Sequence, residues 1–192
     1  MPTGSRKGAI VRQDLSQHSK RADGEYAKKL IDFAGRDEGT PLRLKVAYAH
    51  LVECMGNTHQ HASQNPGEQT WWGSVFRDTR RHCDCFTFID MGVGIFNSVE
   101  LSTRLQIYKL TGFRRTQILK ELLEGKIPSS TGQPYRGKGL PTIYRSGLDG
   151  KIRRLVILTN NVYADAARGE FLSLSCEVKG VILYWEVPHE RS

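Results

Sequence analysis

The stretch Phe86-Thr87-Phe88-Ile89-Asp90-Met91-Gly92-Val93-Gly94 leads from an apolar run into a turn rich in glycine. A short apolar run bounded by turn residues is typical of a buried strand. A carboxylate at the end of such a strand is costly to bury alone, so Asp90 needs a hydrogen-bond donor. Gly92 and Gly94 let the backbone pass close to a flat ligand. The exocyclic amine of adenine is one such donor, and an ordinary Asp-led turn is the alternative interpretation.

A long helix is predicted before this strand, over residues 42–62. Thr40-Pro41 supplies a capping hydroxyl and a proline at the first helical position. Apolar side chains follow one face of the helix, and Glu53, Asn57 and His61, four residues apart, share another. An amide oxygen suits Mg²⁺, a carboxylate suits a general base, and an imidazole can donate to phosphate. For this triplet alone, a solvated helix face is the more common interpretation.

A third stretch, Gly137-Lys138-Gly139, precedes a helix predicted to begin near Leu140. Free amides, a cation and the positive end of a helix dipole are a usual way of holding phosphate. A flexible glycine loop is the alternative interpretation. The chain lacks the pattern GxxxxGK[ST], which excludes a P-loop.

The remaining patterns predict an α+β fold. Helical spacing of apolar residues begins at Asp23 and recurs over 101–110 and 113–123, with Gly125 as the expected C-terminal cap. Strand patterns occupy residues 70–76, 85–89, 155–158, 171–178 and 181–187, and Lys179-Gly180 predicts a hairpin between the last two. Strands clustered at the end of the chain favour a two-layer α/β sandwich over a doubly wound sheet.

The composition of the 192 residues fits a single domain, with 39% apolar residues and a net charge of +8. Residues 1–22 are basic and poor in large apolar groups, so we expect a mobile tail before a domain over residues 23–192. Neither a membrane span of roughly 20 apolar residues nor a secretory signal is evident, so we expect a cytoplasmic protein. The positive charge favours anionic partners; nucleic acid ranks low, because scattered basic residues are usually a solvated surface.

Together, Glu53-x-x-x-Asn57-x-x-x-His61, Asp90-x-Gly92-x-Gly94 and Gly137-x-Gly139-Leu140 resemble the N, G1 and G2 boxes of the GHKL superfamily of ATP-binding domains. The resemblance spans about Leu42 to Pro188. It is closest to stand-alone bacterial histidine-kinase-like ATP-binding proteins, some of which are encoded beside small STAS-like proteins. It implies a Bergerat-type sandwich, with helices on one face of a mixed, mostly antiparallel sheet. Mg-ATP would lie between the N-box helix and a mobile lid over residues 108–136.

Carried over by position, the resemblance implies a role for each motif residue. Asn57 would ligate Mg²⁺, Glu53 would be the activating base, and His61 would contact phosphate. Asp90 would hold adenine. The other motif residues would shape the base pocket or cradle the phosphates: Gly92, Gly94, Gly137, Lys138, Gly139 and Leu140.

Two positions depart from the pattern of many family members. Gln60 stands where many histidine kinases have a basic residue, so we expect Lys138 or Arg136 to supply that charge. Val181 stands where many members have a threonine that makes a polar contact near adenine.

These features predict an ATP-dependent signalling protein, either an ATPase or a kinase of the anti-sigma type. It would act on a separate protein partner of STAS-like or response-regulator-like kind. The residues before the N box leave room for one short helix, so autonomous histidine kinase activity is not expected. A glutamate at position 53 suits hydrolysis or transfer to a Ser or Thr hydroxyl. The alternative is a non-catalytic, nucleotide-gated interaction module whose lid orders when ATP binds.

Overall fold

The fold is that of a computed structural model, which describes residues 8–14, 24–34, 41–61, 70–99, 112–127 and 139–189. The strands in these ranges are β1 (Gly8–Asp14), β2 (Thr70–Asp78), β3 (Cys83–Asp90), β4 (Leu155–Asp165) and β5 (Glu170–Pro188). The helices are α1 (Gly24–Ala34), α2 (Pro41–His61), α3 (Ile95–Val99), α4 (Arg115–Leu123) and α5 (Gly139–Leu148). None of the helices in the described ranges is long and apolar enough to cross a membrane.

The strands form one open sheet in the order β1-β2-β3-β5-β4. Every pairing between the described strands is antiparallel, so the parallel pairs that a mixed sheet requires are absent from this part of the chain. The architecture is α+β and is consistent with the predicted two-layer sandwich of helices on a sheet.

Alternate residues of the central strands build the core between the sheet and the helices. Phe86 of β3 stacks on Trp185 of β5, with ring centroids 5.6 Å apart, and Trp71 of β2 stacks on Phe88 at 5.4 Å. Such pairs add to the stabilisation that burial of their area gives. The helices contribute buried residues that include Leu30, Leu51, Met55, Ile118 and Ile143. Asp90 has the same strand parity as Phe86 and Phe88, so it lies on the helix-covered face of the sheet.

Local signals placed most elements correctly. Helix α1 and the β2–β3 hairpin lie where they were predicted, and α2 begins at Pro41 as expected. Gly125 lies just beyond the end of α4 and has φ at +71°. Its N–H donates to Leu122 O, and Lys126 N–H donates to Glu121 O. This is a Schellman cap, in which glycine adopts the left-handed conformation without a steric penalty. The helix predicted over residues 101–110 lies outside the described residues.

The N-terminal segment differs in part from the predicted tail. Residues 8–14 form β1, which pairs with β2 along its whole length, from Gly8 opposite Phe76 to Asp14 opposite Thr70. The tail prediction is therefore wrong for these seven residues, and the rest of residues 1–22 lies outside the described ranges. The run Ala9-Ile10-Val11 carries β-branched residues that suit a strand, and the edge of the sheet supplies its backbone hydrogen bonds.

The C-terminal hairpin prediction at Lys179-Gly180 is wrong. Strand β5 runs continuously through both predicted strands, and the turn lies at residues 166–169 instead. Both halves of β5 pair with β4, so they cannot fold back on each other. Gly180, with φ at +83°, produces a kink within the strand rather than a turn. At the kink the β4–β5 register shifts, because Thr159 pairs with Val181 but Asn160 pairs with Val178.

Replacement of Gly180 by alanine should destabilise the fold strongly. A β-carbon at this position would overlap the backbone carbonyl of Asp90, and an alanine would also be strained at positive φ. We expect a loss of about 3 kcal/mol or more in the free energy of unfolding, measured with urea. Gly169→Ala is the matched control, since Gly169 has φ at +67° but open space around it; it should lose only about 1–2 kcal/mol. Equal losses would contradict the role of the overlap.

Helix α2 is fixed to α5 by a buried hydrogen bond. His50 Nε2 lies 3.1 Å from Ser146 Oγ, whose hydroxyl donates to Thr142 O at 3.0 Å. Because that proton is already used, the Nε2–H of His50 is the donor in the pair. Burial lowers the pKa of His50 to about 4, so the ring is neutral at physiological pH. This contact sets the position of α2 relative to the last turn of α5.

Candidate functional site

Asp90 lies at the end of β3 with its carboxyl largely withdrawn from water. Its Oδ1 accepts the N–H of Gly92 at 2.8 Å, and the backbone N–H of Val181 also donates to the carboxyl. Burial nevertheless raises the pKa of Asp90 to about 6, although these two hydrogen bonds act in the opposite direction. A carboxylate can accept about four hydrogen bonds, so capacity remains for a further donor. The contact with Gly92 is the Asp-led turn that the sequence left as an alternative, and it is compatible with a ligand.

The loop that follows Asp90 is tightly constrained by backbone geometry. Gly94 has φ at +82°, and a β-carbon there would overlap the side chain of Asn160. Gly92 is buried. On the far side of Asp90, the Cα of Gly180 packs against the Asp90 carbonyl. Glycine is therefore required at positions 94 and 180, because the Asn160 side chain and the Asp90 backbone already occupy the places of their β-carbons.

Glu53, a residue of α2, lies near the Asp90 region and contacts the start of α5. A β-carbon at Gly139 would lie 2.5 Å from Glu53 Cγ and 2.6 Å from Glu53 Oε1, so the first residue of α5 is in direct contact with this side chain. Glu53 is exposed as a whole residue, but partial burial of its carboxyl raises the pKa of that group above the ordinary value. A glutamate with a raised pKa is a better proton acceptor than an exposed one.

Cys54 shows that the two carboxyl groups belong to one neighbourhood. Burial raises the pKa of this thiol, and the charges of Asp90 and Glu53 raise it further. The fold thus brings the middle of α2 close to both the end of β3 and the start of α5. These elements are separate in sequence, so only the tertiary packing unites them.

The other predicted site residues are described to different extents. Asn57 is half-buried on α2, one turn after Glu53. The backbone of His61 ends α2, but its side chain lies outside what the structure describes. Leu140 packs against the core in the first turn of α5. Arg136, Gly137 and Lys138 lie outside the described residues.

Few of the described side chains could act as ligands for a metal ion. Within the described ranges, no three His, Cys, Asp or Glu side chains come together as a metal cluster. Mg²⁺ is typically held by one or two protein oxygens, several waters and the phosphates of a substrate. Asn57 with Glu53 one turn away fits that kind of site.

The described part of the predicted lid is a packed helix. Ile118, Leu119 and Leu123 of α4 are buried in the core. Arg115, at its first residue, donates to Asn161 Oδ1 at 2.8 Å and pairs with Glu177 at 3.1 Å. These contacts hold the start of α4 on the β4–β5 hairpin. Residues 108–111 and 128–136 of the predicted lid lie outside the described residues.

Sequence reasoning missed Thr159 and Asn160 on β4. Both are buried, and Asn160 adopts φ at +49°, which is uncommon for any residue other than glycine. Thr159 lies opposite Val181, so β4 places a hydroxyl beside that position of β5. The available signal was the polar run Thr159-Asn160-Asn161 directly after an apolar strand, because asparagine tolerates the left-handed region best.

A separate cavity of about 780 Å³ lies at the other end of the sheet, lined in part by Arg43, Arg153 and His189. It is bordered by Pro188, which pairs with Cys83 at the start of β3, whereas Asp90 ends that strand roughly 23 Å away. Arg43 donates to Pro188 O, Arg153 pairs with Glu186, and His189 pairs with Asp84. These groups are used within the fold, so the cavity offers no evident ligand chemistry.

Comparison of the chain with protein-family models and with curated proteins finds no match.

Proposed function

We propose that the protein binds Mg-ATP at the Asp90 site and hydrolyses it or transfers its γ-phosphate to a protein partner, as a Bergerat-type member of the GHKL superfamily. One observation carries the proposal. A buried carboxyl with spare acceptor capacity, Asp90, lies beside a helix whose Glu53 contacts the first residue of α5, Gly139.

The base half of the proposed site is the region around Asp90. The exocyclic amine of adenine is a neutral donor that would satisfy the carboxylate and offset part of its desolvation. Guanine presents a carbonyl at the corresponding ring position, which would face a like acceptor. The glycine at position 92, whose amide contacts the carboxylate, supports a flat ligand there, because it places no side chain over the backbone.

The phosphate half would lie between α2 and the start of α5. The N-terminus of a ten-residue helix such as α5 presents free amides and a positive dipole end. Asn57 would ligate Mg²⁺, and Glu53 would accept a proton from the attacking water or hydroxyl. His61, Arg136, Gly137 and Lys138 are proposed phosphate contacts on the strength of the sequence resemblance.

A second candidate is the non-catalytic, nucleotide-gated interaction module. The contacts of Arg115 with Asn161 and Glu177 favour it, because they connect α4, within the proposed lid, to the β4–β5 hairpin. That hairpin carries Leu172, which is 54% exposed and apolar. A change in α4 on nucleotide binding would alter a surface on which a partner could dock.

Calorimetry with ATP in the presence and absence of Mg²⁺ tests the proposed function. We expect Mg²⁺-dependent binding of ATP and weaker binding of GTP by the wild-type protein. Asn57→Ala should lose about tenfold or more in affinity for Mg-ATP, since it removes a metal ligand, and should bind ATP without Mg²⁺ as the wild type does. Absence of adenine nucleotide binding by folded wild-type protein would overturn the proposal.

A further inference from the structure

Thr159 and Asn160 form a buried clamp between β4 and the loop after Asp90. Their exposed fractions are 0% and 2%, and they lie at the point where the β4–β5 register shifts. A buried polar pair at a strand irregularity, with one residue in a left-handed conformation, carries a conformational cost that its contacts must offset.

The Thr159 hydroxyl joins the loop to the kink in β5. Its Oγ1 accepts the N–H of Ile95 at 3.0 Å and lies 3.1 Å from the carbonyl oxygen of Gly180. Gly180 in turn packs against Asp90, and the next amide, that of Val181, donates to the Asp90 carboxyl. Thr159 therefore connects both backbone segments that flank the carboxylate.

The Asn160 carboxamide holds the loop at two further points. Its Nδ2 donates to Val93 O at 3.1 Å, and its Oδ1 accepts the N–H of Phe96 at 3.3 Å. Gly94 packs directly on this carboxamide. The carboxamide of Asn160 thus uses both its N–H donor and its oxygen acceptor. A carboxylate has no donor and could not make both contacts.

We propose that Thr159 and Asn160 are positioning residues that hold the loop from Asp90 to Gly94 ready for the purine base. The inference rests on the proposed function. A loop with two glycines loses much conformational entropy when it is ordered. Because the clamp orders the loop before the nucleotide arrives, binding does not have to supply that free energy.

The clamp acts on the base half of the site and leaves the phosphate half to α2 and α5. We therefore compare the affinities of each variant for Mg-ATP and for Mg-tripolyphosphate, which lacks the base. Loss of base positioning should weaken only the binding of Mg-ATP, whereas general damage to the fold should weaken the binding of both ligands. In Asn160→Gly, which tolerates the left-handed backbone, we expect affinity for Mg-ATP to fall about 10- to 100-fold, from the loss of two hydrogen bonds and of loop order. Affinity for Mg-tripolyphosphate should change by less than about twofold.

A second variant of Asn160 and a control variant of its neighbour complete the test. Asn160→Asp keeps the acceptor for Phe96 but cannot donate to Val93, so it should also lose affinity for Mg-ATP selectively; it supplies the same comparison if Asn160→Gly does not fold. Asn161→Ala is the control, because Asn161 contacts Arg115 rather than the loop, and its ratio of Mg-ATP to Mg-tripolyphosphate affinity should match that of the wild type.

The outcomes distinguish the clamp from the proposed function. If the wild type binds Mg-ATP and Asn160→Gly binds it equally well, or loses both ligands to the same degree, the clamp inference fails and the proposed function stands. If the wild type binds no Mg-ATP, both fail. Amide hydrogen exchange at Ile95 and Phe96, faster in Asn160→Gly than in Asn161→Ala without any ligand, would independently support the clamp.

Discussion

Replacement of Asp90 by asparagine should weaken ATP binding while stabilising the unliganded fold. The carboxylate is the proposed acceptor for the adenine amine, and loss of a charge-assisted hydrogen bond is expected to reduce affinity about 10- to 100-fold. Asparagine keeps the shape and one acceptor oxygen for the amide of Gly92, but it carries no charge to desolvate. Calorimetry measures the affinity, and urea unfolding measures the stability.

The pKa of Asp90 gives the sign and size of the stability change. A rise from 3.8 to about 6 on folding corresponds to about 3 kcal/mol. The folded state holds the proton of Asp90 more tightly than the unfolded state does. Protonated Asp90 therefore contributes its full share to the free energy of unfolding below pH about 4, and this share is lost as pH rises through about 6. The stability advantage of Asp90→Asn should grow across that range and remain constant above it, reaching up to about 3 kcal/mol.

Asp84→Asn is the matched control, on the same strand and the same face of the sheet. Asp84 is buried but paired with Arg77 at 3.1 Å, so its replacement breaks an ion pair and should destabilise the fold. Affinity for ATP should stay within about twofold of the wild type, since Asp84 lies at the opposite end of β3. An Asp90→Asn protein that binds ATP as the wild type does would remove Asp90 from the base pocket.

Replacement of Glu53 by glutamine should strongly slow turnover and preserve binding. Removal of a general base typically costs a factor of about 10² to 10⁴ in rate, whereas the amide can keep the packing against Gly139. The expected result is Mg-ATP affinity within about twofold of the wild type and product formation slowed by about 10²- to 10⁴-fold in single-turnover assays with labelled ATP. Glu170→Gln, at the exposed start of β5, should behave as the wild type.

The pH dependence of turnover gives a second readout for Glu53. Because burial raises the pKa of Glu53, its basic form becomes dominant at a higher pH than for an exposed glutamate, and the rate should rise with pH through that pKa. Residual activity in Glu53→Gln should lack that rise. Undiminished hydrolysis in this variant would exclude Glu53 as the base. Binding of ATP by the wild type without turnover, with or without partners, would favour the interaction module.

Local sequence signals were sufficient for most elements because they depend on neighbouring residues. The spacing of apolar residues predicted α1, α2 and α4, and Thr40-Pro41 and Gly125 predicted where α2 begins and α4 ends. The same signals failed at Lys179-Gly180, where a glycine with positive φ is equally compatible with a turn and with a kinked strand. The pairing partner of β5 decides between them, and that partner is distant in sequence.

By itself, the sequence determined the α+β class, the helix that carries Glu53 and Asn57, and the strand that ends at Asp90, since these depend on periodicity and on the residues beside each terminus. Only the tertiary structure decided that Glu53 contacts Gly139, and that burial shifts the pKa of Asp90. It alone revealed that Thr159 and Asn160 hold the loop beside Asp90. Contacts and desolvation depend on residues brought together from distant parts of the chain, which no local pattern encodes.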